Sequence, residues 1–315
     1  MTRNSKKIER LGNLIAYGCI RGFFEALGLL PLPLGRWMGR GLGRFAFQMN
    51  RRYRGIALEN LTRAYPEMGM RERRELARKV FENLGMVLFE MAWSVPLNTR
   101  RFDRFFRLEG LDHLRSAHAN GRGVLVLTAH FGNWELLSVI SAMIGYPLGV
   151  VYRPLDFAPL DRYVLNYRSR FGGRLIPKKK SFRRVLRALS QGKLVTLLMD
   201  QNVALREGVF APFFGHLACT NKGMALLAMK TGAPVIPVFL VRGPGGFTGR
   251  FLPEIPLIKT GDKTRDLEAN TEQYNRVIES MVRAYPEQWF WVHRRWNTRP
   301  FYPWPREASS IRSLR

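Results

Sequence analysis

His130 and Glu135 are the pair in this sequence whose types and spacing suit proton-transfer chemistry. Five residues apart, they would stand roughly 140° from each other on a straight helix turning about 100° per residue, so they cannot share one of its faces. If His130 lies in a turn and Gly132 lets the backbone bend sharply, Glu135 in the first turn of a following helix can reach back to the imidazole. An imidazole held by a carboxylate at one ring nitrogen keeps the other free to take a proton, which makes such a pair a general base for a hydroxyl nucleophile. The same residues fit a plainer reading, in which Glu135 is a first-turn acid favoured by the helix dipole and His130 a hydrogen-bonded turn residue.

The flanking pattern supplies the elements that must hold this pair. Val124 to Leu127 is the short continuous apolar run of a strand buried on both faces, and Leu136 to Ile144 carries the apolar density of a packed helix. His130 therefore falls at the carboxyl end of a strand, where open α/β sheets place their ligands. The alternation continues with a strand over Leu148 to Tyr152 that ends at Arg153-Pro154, and a helix from Pro159 to Phe171 closed by Gly172-Gly173. Phe182, Val185, Leu186 and Leu189 form a helical stripe, and Leu194 to Met199 a further buried strand, which puts Asp200 at a strand end as well. Thr220 is expected to cap a helix running through Lys230 with Gly232 beyond it. Val235 to Val241 reads as a strand that turns through Gly243 to Gly246 into an antiparallel partner over Phe247 to Leu252, and a last amphipathic helix covers Glu268 to Tyr285. These periods predict an α/β fold with a mixed, mostly parallel sheet flanked by helices.

Before this unit the chain reads differently. Leu11 to Leu34 is apolar but interrupted by Arg21 and Glu25, four apart and able to pair, and it stops at Pro31 and Pro33. It is expected to anchor the protein at a membrane, as a short span or an interfacial helix, against the alternative of a soluble core helix. Periodic apolar residues from Arg71 to Trp93 predict a long helix, followed by a lead-in strand or turn near Leu108 to Leu111. The expected divisions are 1–35 as anchor, 36–110 as a helical region, 111–298 as the α/β core and 299–315 as a basic tail.

Fifty-one basic residues against 24 acidic ones leave a net charge of +27, so the partners are expected to be anionic. Arginines beside aromatics, as in Arg21-Gly-Phe-Phe and Arg36-Trp37, suit a lipid interface, and the arginine block Arg36, Arg40, Arg44, Arg51, Arg52 and Arg54 should favour anionic lipid. No helix-turn-helix, zinc-finger or RNA-recognition signature supports nucleic acid. Cys19 and Cys219 lack metal-ligand spacing and, with no signal peptide ahead of them, are expected to be reduced thiols. No phosphate-binding glycine loop ending in Gly-Lys-Ser/Thr is present either, so neither metal nor prosthetic group is expected.

The hexapeptide His130-Phe-Gly-Asn-Trp-Glu135 resembles the His-(four residues)-Asp/Glu motif of the glycerolipid acyltransferase superfamily, in the form used by the lipid A biosynthesis (lauroyl or myristoyl) acyltransferases. Tyr152-Arg153-Pro154, Met199-Asp200-Gln201, Phe213-Phe214-Gly215 and Gln288-Trp-Phe-Trp-Val-His-Arg-Arg-Trp296 follow in the family's order, and the likeness runs from about residue 10 to Asn297. It implies a glycerolipid-acyltransferase-like fold that transfers a fatty acyl group from a thioester to a lipid hydroxyl without a covalent enzyme intermediate. His130 would take the hydroxyl proton and Glu135 would orient the ring, while Asn133 and Trp134 of the motif would contact substrate. The residues agree to the extent that no Gly-x-Ser-x-Gly elbow offers a serine nucleophile and neither cysteine adjoins a histidine.

The remaining candidates keep alternatives open. Arg153 could stabilise the oxyanion or bind phosphate, or pair structurally with Asp200. Asp200 and Gln201 could position Arg153 or a sugar hydroxyl. Lys178, Lys179 and Lys180 could hold anionic groups of the glycolipid or an acidic carrier protein, or be a solvated face. Phe213, Phe214 and Thr220 resemble a loop bordering the family's active site, against simple packing. Arg294 and Arg295 amid Trp289, Trp291 and Trp296 fit phosphate contact or an interfacial belt, against burial of those rings. The expected function is late acylation of a lipid A precursor, an acylated anionic glycolipid, on the cytoplasmic face of the bacterial inner membrane. The donor would be acyl carrier protein or a coenzyme A thioester. Acylation of a lysophospholipid or phosphatidylinositol mannoside is the enzymatic alternative, and a basic membrane- or nucleic-acid-binding protein the other.

Overall fold

The computed structural model describes residues 3–96, 103–178 and 181–300. Four helices come first: α1 (Arg3–Gly28), α2 (Leu32–Met49), α3 (Arg51–Ala64) and α4 (Met70–Ser94). Pro31 ends the connection after α1, and Pro33 sits in the first turn of α2, where a missing N–H costs nothing. The expected Arg21–Glu25 pair is formed at 2.7 Å on the exposed side of α1. Among the described residues no helix is long and apolar enough to cross a membrane. Phe24 of α1 is instead buried, stacked on Tyr163 at 4.3 Å between ring centroids.

The closest helix crossing is made by glycine. A Cβ at Gly43 of α2 would lie 2.2 Å from the carbonyl oxygen of Phe81, and one at Gly85 of α4 would lie 2.0 Å from that of Gly39. Only residues without a side chain let the two backbones approach this closely, and the approach fixes α2 along α4.

The α/β unit begins with β1 (Phe106–Glu109), α5 (Leu111–Ala119) and β2 (Val124–Thr128), followed by a 3-10 turn at Trp134–Leu136, α6 (Leu137–Met143) and β3 (Leu148–Tyr152). Then come α7 (Ala158–Arg170), β4 (Arg174–Pro177), α8 (Ser181–Ser190) and β5 (Leu194–Leu198). Beyond them lie β6 (Gly208–Phe213), β7 (His216–Asn221), α9 (Gly223–Thr231), β8 (Val235–Arg242), β9 (Phe247–Phe251) and α10 (Lys263–Ala284). Seven strands form one sheet in the order β1-β9-β8-β2-β5-β3-β4. From β8 to β4 all neighbours are parallel, whereas β9 runs antiparallel to β8 and carries β1 parallel to itself. The mixed, mostly parallel sheet flanked by helices is thus as expected.

β2 lies centrally and all five of its residues are buried. Leu125 and Leu127 enter one core with Phe239, Met224 and Trp289, while Val124 and Val126 enter the other with Ile140, Val238 and Phe251. This two-sided burial is why the strand reads as an unbroken apolar run. The separate β6–β7 hairpin, antiparallel from Gly208↔Asn221 to Phe213↔His216, corrects one expectation: Thr220 is a strand residue, and α9 starts after it at Gly223.

Candidate active site

Strand register brings the chemistry together. β2 and β5 pair in parallel with Thr128 opposite Leu198, and the Met199 amide donates to the Thr128 carbonyl at 3.0 Å. His130 and Asp200 each follow their strand by two residues, so they leave the carboxyl edge of the sheet side by side. His130 Nδ1 is 2.9 Å from Asp200 Oδ1, and the His130 amide donates to Oδ2 at 3.0 Å. The Trp289 indole donates to Oδ2 as well, at 2.9 Å.

Asp200 is fully enclosed. Burial pushes its carboxyl up, but the charge of His130, the bonds from that residue's ring and amide, and the Trp289 indole outweigh burial and hold it below the usual carboxylate range. An ionised carboxylate only accepts, so in the neutral imidazole the ring proton belongs on Nδ1, which leaves Nε2 as the atom that can take a proton. The His130 side chain is 22% exposed, enough for one edge to meet a substrate. Trp134 and Phe290 wall the ring, edge-on at 5.2 Å and tilted at 5.7 Å.

Glu135 does not make the expected contact with His130. Arg168 of α7 takes both its oxygens, Nε to Oε2 at 2.8 Å and a terminal nitrogen to Oε1 at 2.7 Å, and the Trp134 indole donates to Oε1 at 3.0 Å. The bend at Gly132 is present, with φ +57° and room for no side chain, since a Cβ there would meet the Leu240 carbonyl at 1.8 Å. It leads into the 3-10 turn, from which Glu135 reaches α7 and not the imidazole. Burial works against the Arg168 charge, yet Glu135 more than compensates and raises its pKa. The carboxylate at His130 Nδ1 is therefore Asp200, and Arg168, which no motif marked, is the partner of Glu135.

Several other candidates are engaged with partners other than His130. Asn133 is fully buried, donating to the Val87 carbonyl at 3.1 Å and to Glu90 Oε2 at 3.0 Å, so it holds the motif turn and does not face substrate. Arg153 donates to Asp156 at 3.2 Å on the surface, and the Asp200 pairing considered for it is not formed. Lys178 pairs with Glu207 at 2.7 Å, while Lys179 and Lys180 lie outside the described residues. Gln201 is half-buried and Arg294 exposed.

Arg295 is buried, donating to the Cys219 carbonyl at 3.1 Å and to Thr220 Oγ1 at 2.5 Å beneath the Phe213 ring. Burial pulls its pKa down to about 10. Phe213 and Phe214 are buried too, as are Trp289, Trp291 and Trp296. Packing is what Arg295 and these three tryptophans do, whereas Arg294 stays exposed. The segment still serves the site, because the Phe290 amide donates to the His130 carbonyl at 3.1 Å and Trp289 binds Asp200. A second imidazole, His293, accepts the Asn202 amide at Nε2 at 2.9 Å and is held neutral by burial, its pKa lowered to about 4. Among the described residues no cluster of His, Cys, Asp or Glu could hold a metal ion.

Comparison with known proteins places this chain in a family. Residues 2–298 match the family model of bacterial lipid A biosynthesis acyltransferases. The chain is 34% identical over 274 residues to the lipid A biosynthesis lauroyltransferase of Escherichia coli, covering 86% of this chain and 88% of that one. It is 32% identical over 275 residues to the lipid A biosynthesis palmitoleoyltransferase of the same organism, covering 86% and 87%. To the phosphatidylinositol mannoside acyltransferase of Mycolicibacterium smegmatis it is 27% identical over 190 residues, 59% of this chain and 60% of that one.

Proposed function

The chain belongs to the bacterial lipid A biosynthesis acyltransferase family and is an acyltransferase; on that premise we propose that it moves a fatty acyl chain from an acyl thioester, carried by acyl carrier protein, to a hydroxyl of an acylated anionic glycolipid. The reading rests on one observation: a partly exposed imidazole at the carboxyl edge of the sheet whose Nδ1 is fixed by a buried carboxylate and whose Nε2 is free to act.

In this reading the acceptor hydroxyl approaches His130 Nε2, which takes its proton as the oxygen attacks the thioester carbonyl. Asp200 stabilises the imidazolium that forms and keeps the ring in its tautomer. The tetrahedral oxyanion collapses, the carbon–sulfur bond breaks, and the leaving thiolate takes the proton back from Nε2. Glu135 supports the turn through Arg168 and Trp134. Arg153 is the proposed oxyanion donor, because its surface pair with Asp156 is easily exchanged for a developing negative charge. No metal or prosthetic group takes part in the proposed mechanism.

The setting we propose is the cytoplasmic face of the bacterial inner membrane, with residues 1–35 as an interfacial anchor. The exposed Leu11, Leu14, Ile15, Phe23 and Leu29 of that segment support this. The mannoside-lipid relative favours a second reading, acylation of another membrane lipid, but it is matched over a smaller share of the chain. Purified protein supplied with one acyl thioester and a panel of acceptors separates the two. Transfer to a lipid A precursor, lost in His130→Ala, is the expected result; transfer to lysophospholipid or phosphatidylinositol mannoside alone would overturn it.

A further inference from the structure

α2 has two working sides. Leu34, Trp37, Met38, Leu42, Phe45 and Met49 recur at helical spacing and are exposed, Trp37 to 71% and Phe45 to 61%. Beside that apolar face runs a row at every fourth position, Arg36, Arg40 and Arg44, which borders a cavity of about 380 Å³ closed on its other side by α4 and the Gly243-Pro244 turn. Arg40, Arg44 and Lys79 stand exposed at the cavity's outer side, and Arg36, Asn83 and Arg242 are enclosed at its inner end.

The walls carry five cations and two carboxylates, Glu82 and Glu287. Glu82 is already paired with Arg44 and Arg78. At the inner end Arg36 and Arg242 share the buried Glu90, at 2.7 Å and 2.6 Å. Arg40 and Lys79 have no ion-pair partner among the described residues. The second observation is Asn83, only 1% exposed: its Oδ1 accepts from Arg242, while its Nδ2 is buried without any hydrogen-bond partner. A buried amide donor left unmatched is costly, so the inner end of the cavity, where Asn83 stands among its lining residues, carries an unspent hydrogen-bond donor. Burial first, then the like charges of Arg242 and Arg40, hold the Arg36 guanidinium below its usual range in spite of Glu90, and an anion in the cavity would relieve that repulsion.

We propose that this cavity binds the phosphate group of a membrane lipid, with the apolar face of α2 lying in the acyl layer beside it. Arg40 and Lys79 meet the phosphate at the outer side. An exposed tryptophan and phenylalanine next to arginines put the apolar bodies below headgroup level and the cations at it, where lipid phosphates reside. The site is also tied to the reacting turn, since Glu90 accepts from Asn133 and the Gln288 carbonyl, on the cavity wall, accepts from the Gly132 amide at 2.8 Å. The inference does not depend on the acyl acceptor proposed above.

The test uses the full chain and vesicles of a phosphate-free neutral glycolipid, doped to equal surface charge with phosphatidylglycerol, with a phosphorylated acylated disaccharide, or with a fatty-acid carboxylate. Two variants remove the same charge: Arg40→Gln with Lys79→Gln at the cavity, and Arg51→Gln with Arg52→Gln on the exposed start of α3. All four positions are exposed, so folding is preserved and is checked by thermal unfolding. On phosphate-bearing vesicles the cavity variant should lose about tenfold more affinity than the α3 variant, and on carboxylate vesicles the two should lose alike. A loss confined to the phosphorylated disaccharide identifies the phosphate as that of a glycolipid, and a loss shared with phosphatidylglycerol identifies it as that of the bulk membrane. Equal losses for the two variants on phosphate would overturn the proposal. So would a cavity variant impaired only in binding an acidic carrier protein.

Discussion

At the scale of single residues, the assignment turns on which carboxylate holds which base. His130 and Asp200 make a charge-assisted pair reinforced by a backbone amide and an indole, whereas Glu135 is committed to Arg168. The neighbouring His293 gives this part of the molecule a pH signature. Its folded pKa, about 4, lies below the usual 6.5 for histidine, so between those values the unfolded chain binds a proton that the folded chain refuses. The stability associated with His293 is complete above about pH 6.5 and is lost as pH falls toward 4. Denaturant midpoints measured across that window should fall with acidification, and His293→Gln should flatten the slope. An unchanged slope in the variant would place the titrating group elsewhere.

At the scale of elements, much was legible because burial writes periodicity into sequence. β2, β3, β5, β8 and β9, together with α4, α7, α8 and α10, follow the apolar runs and stripes that predicted them to within a few residues. What was not legible depends on register. Asp200 meets His130 because Thr128 pairs with Leu198 across two strands seventy residues apart, and no local pattern records that pairing. The β6–β7 hairpin leaves little local trace, because Gly208 to Asn221 lacks a clean alternation of apolar and polar residues, and Thr220 before an apolar stretch fits a helix cap equally well. The tryptophan segment is ambiguous in sequence, since aromatics beside arginines suit both an interface and a core; its three tryptophans and Arg295 are buried and Arg294 is exposed. Gly132, by contrast, is legible as a bend, because only glycine tolerates the positive φ found there. An alanine there would hold a strained positive φ and drive its Cβ into the Leu240 carbonyl, so Gly132→Ala should destabilise by about 2 to 4 kcal/mol and lower the transfer rate with it. Denaturant titration measures the first effect, and a variant of wild-type stability would mean that the bend relaxes freely.

At the scale of the whole molecule, the charge of +27 and the exposed apolar residues of α1 and α2 support the proposed anionic membrane partner. Removing residues 1–30 should weaken vesicle binding and make what remains fall steeply with salt, because basic surface then holds the chain alone. Some loss of stability should accompany it, since Phe24 no longer covers Tyr163. Vesicle flotation at low and high salt checks this, and salt-resistant binding by the truncated chain would move the anchor elsewhere, with the buried tryptophan segment no longer a candidate. The central claim, that His130 acts as base with Asp200 at its Nδ1, is tested most directly by the transfer rate of Asp200→Asn on a lipid A precursor. An amide in place of the carboxylate withdraws the negative charge and can present the wrong tautomer, so the rate should fall by about three to four orders of magnitude in a folded protein. Transfer by Asp200→Asn at close to the wild-type rate would contradict the account.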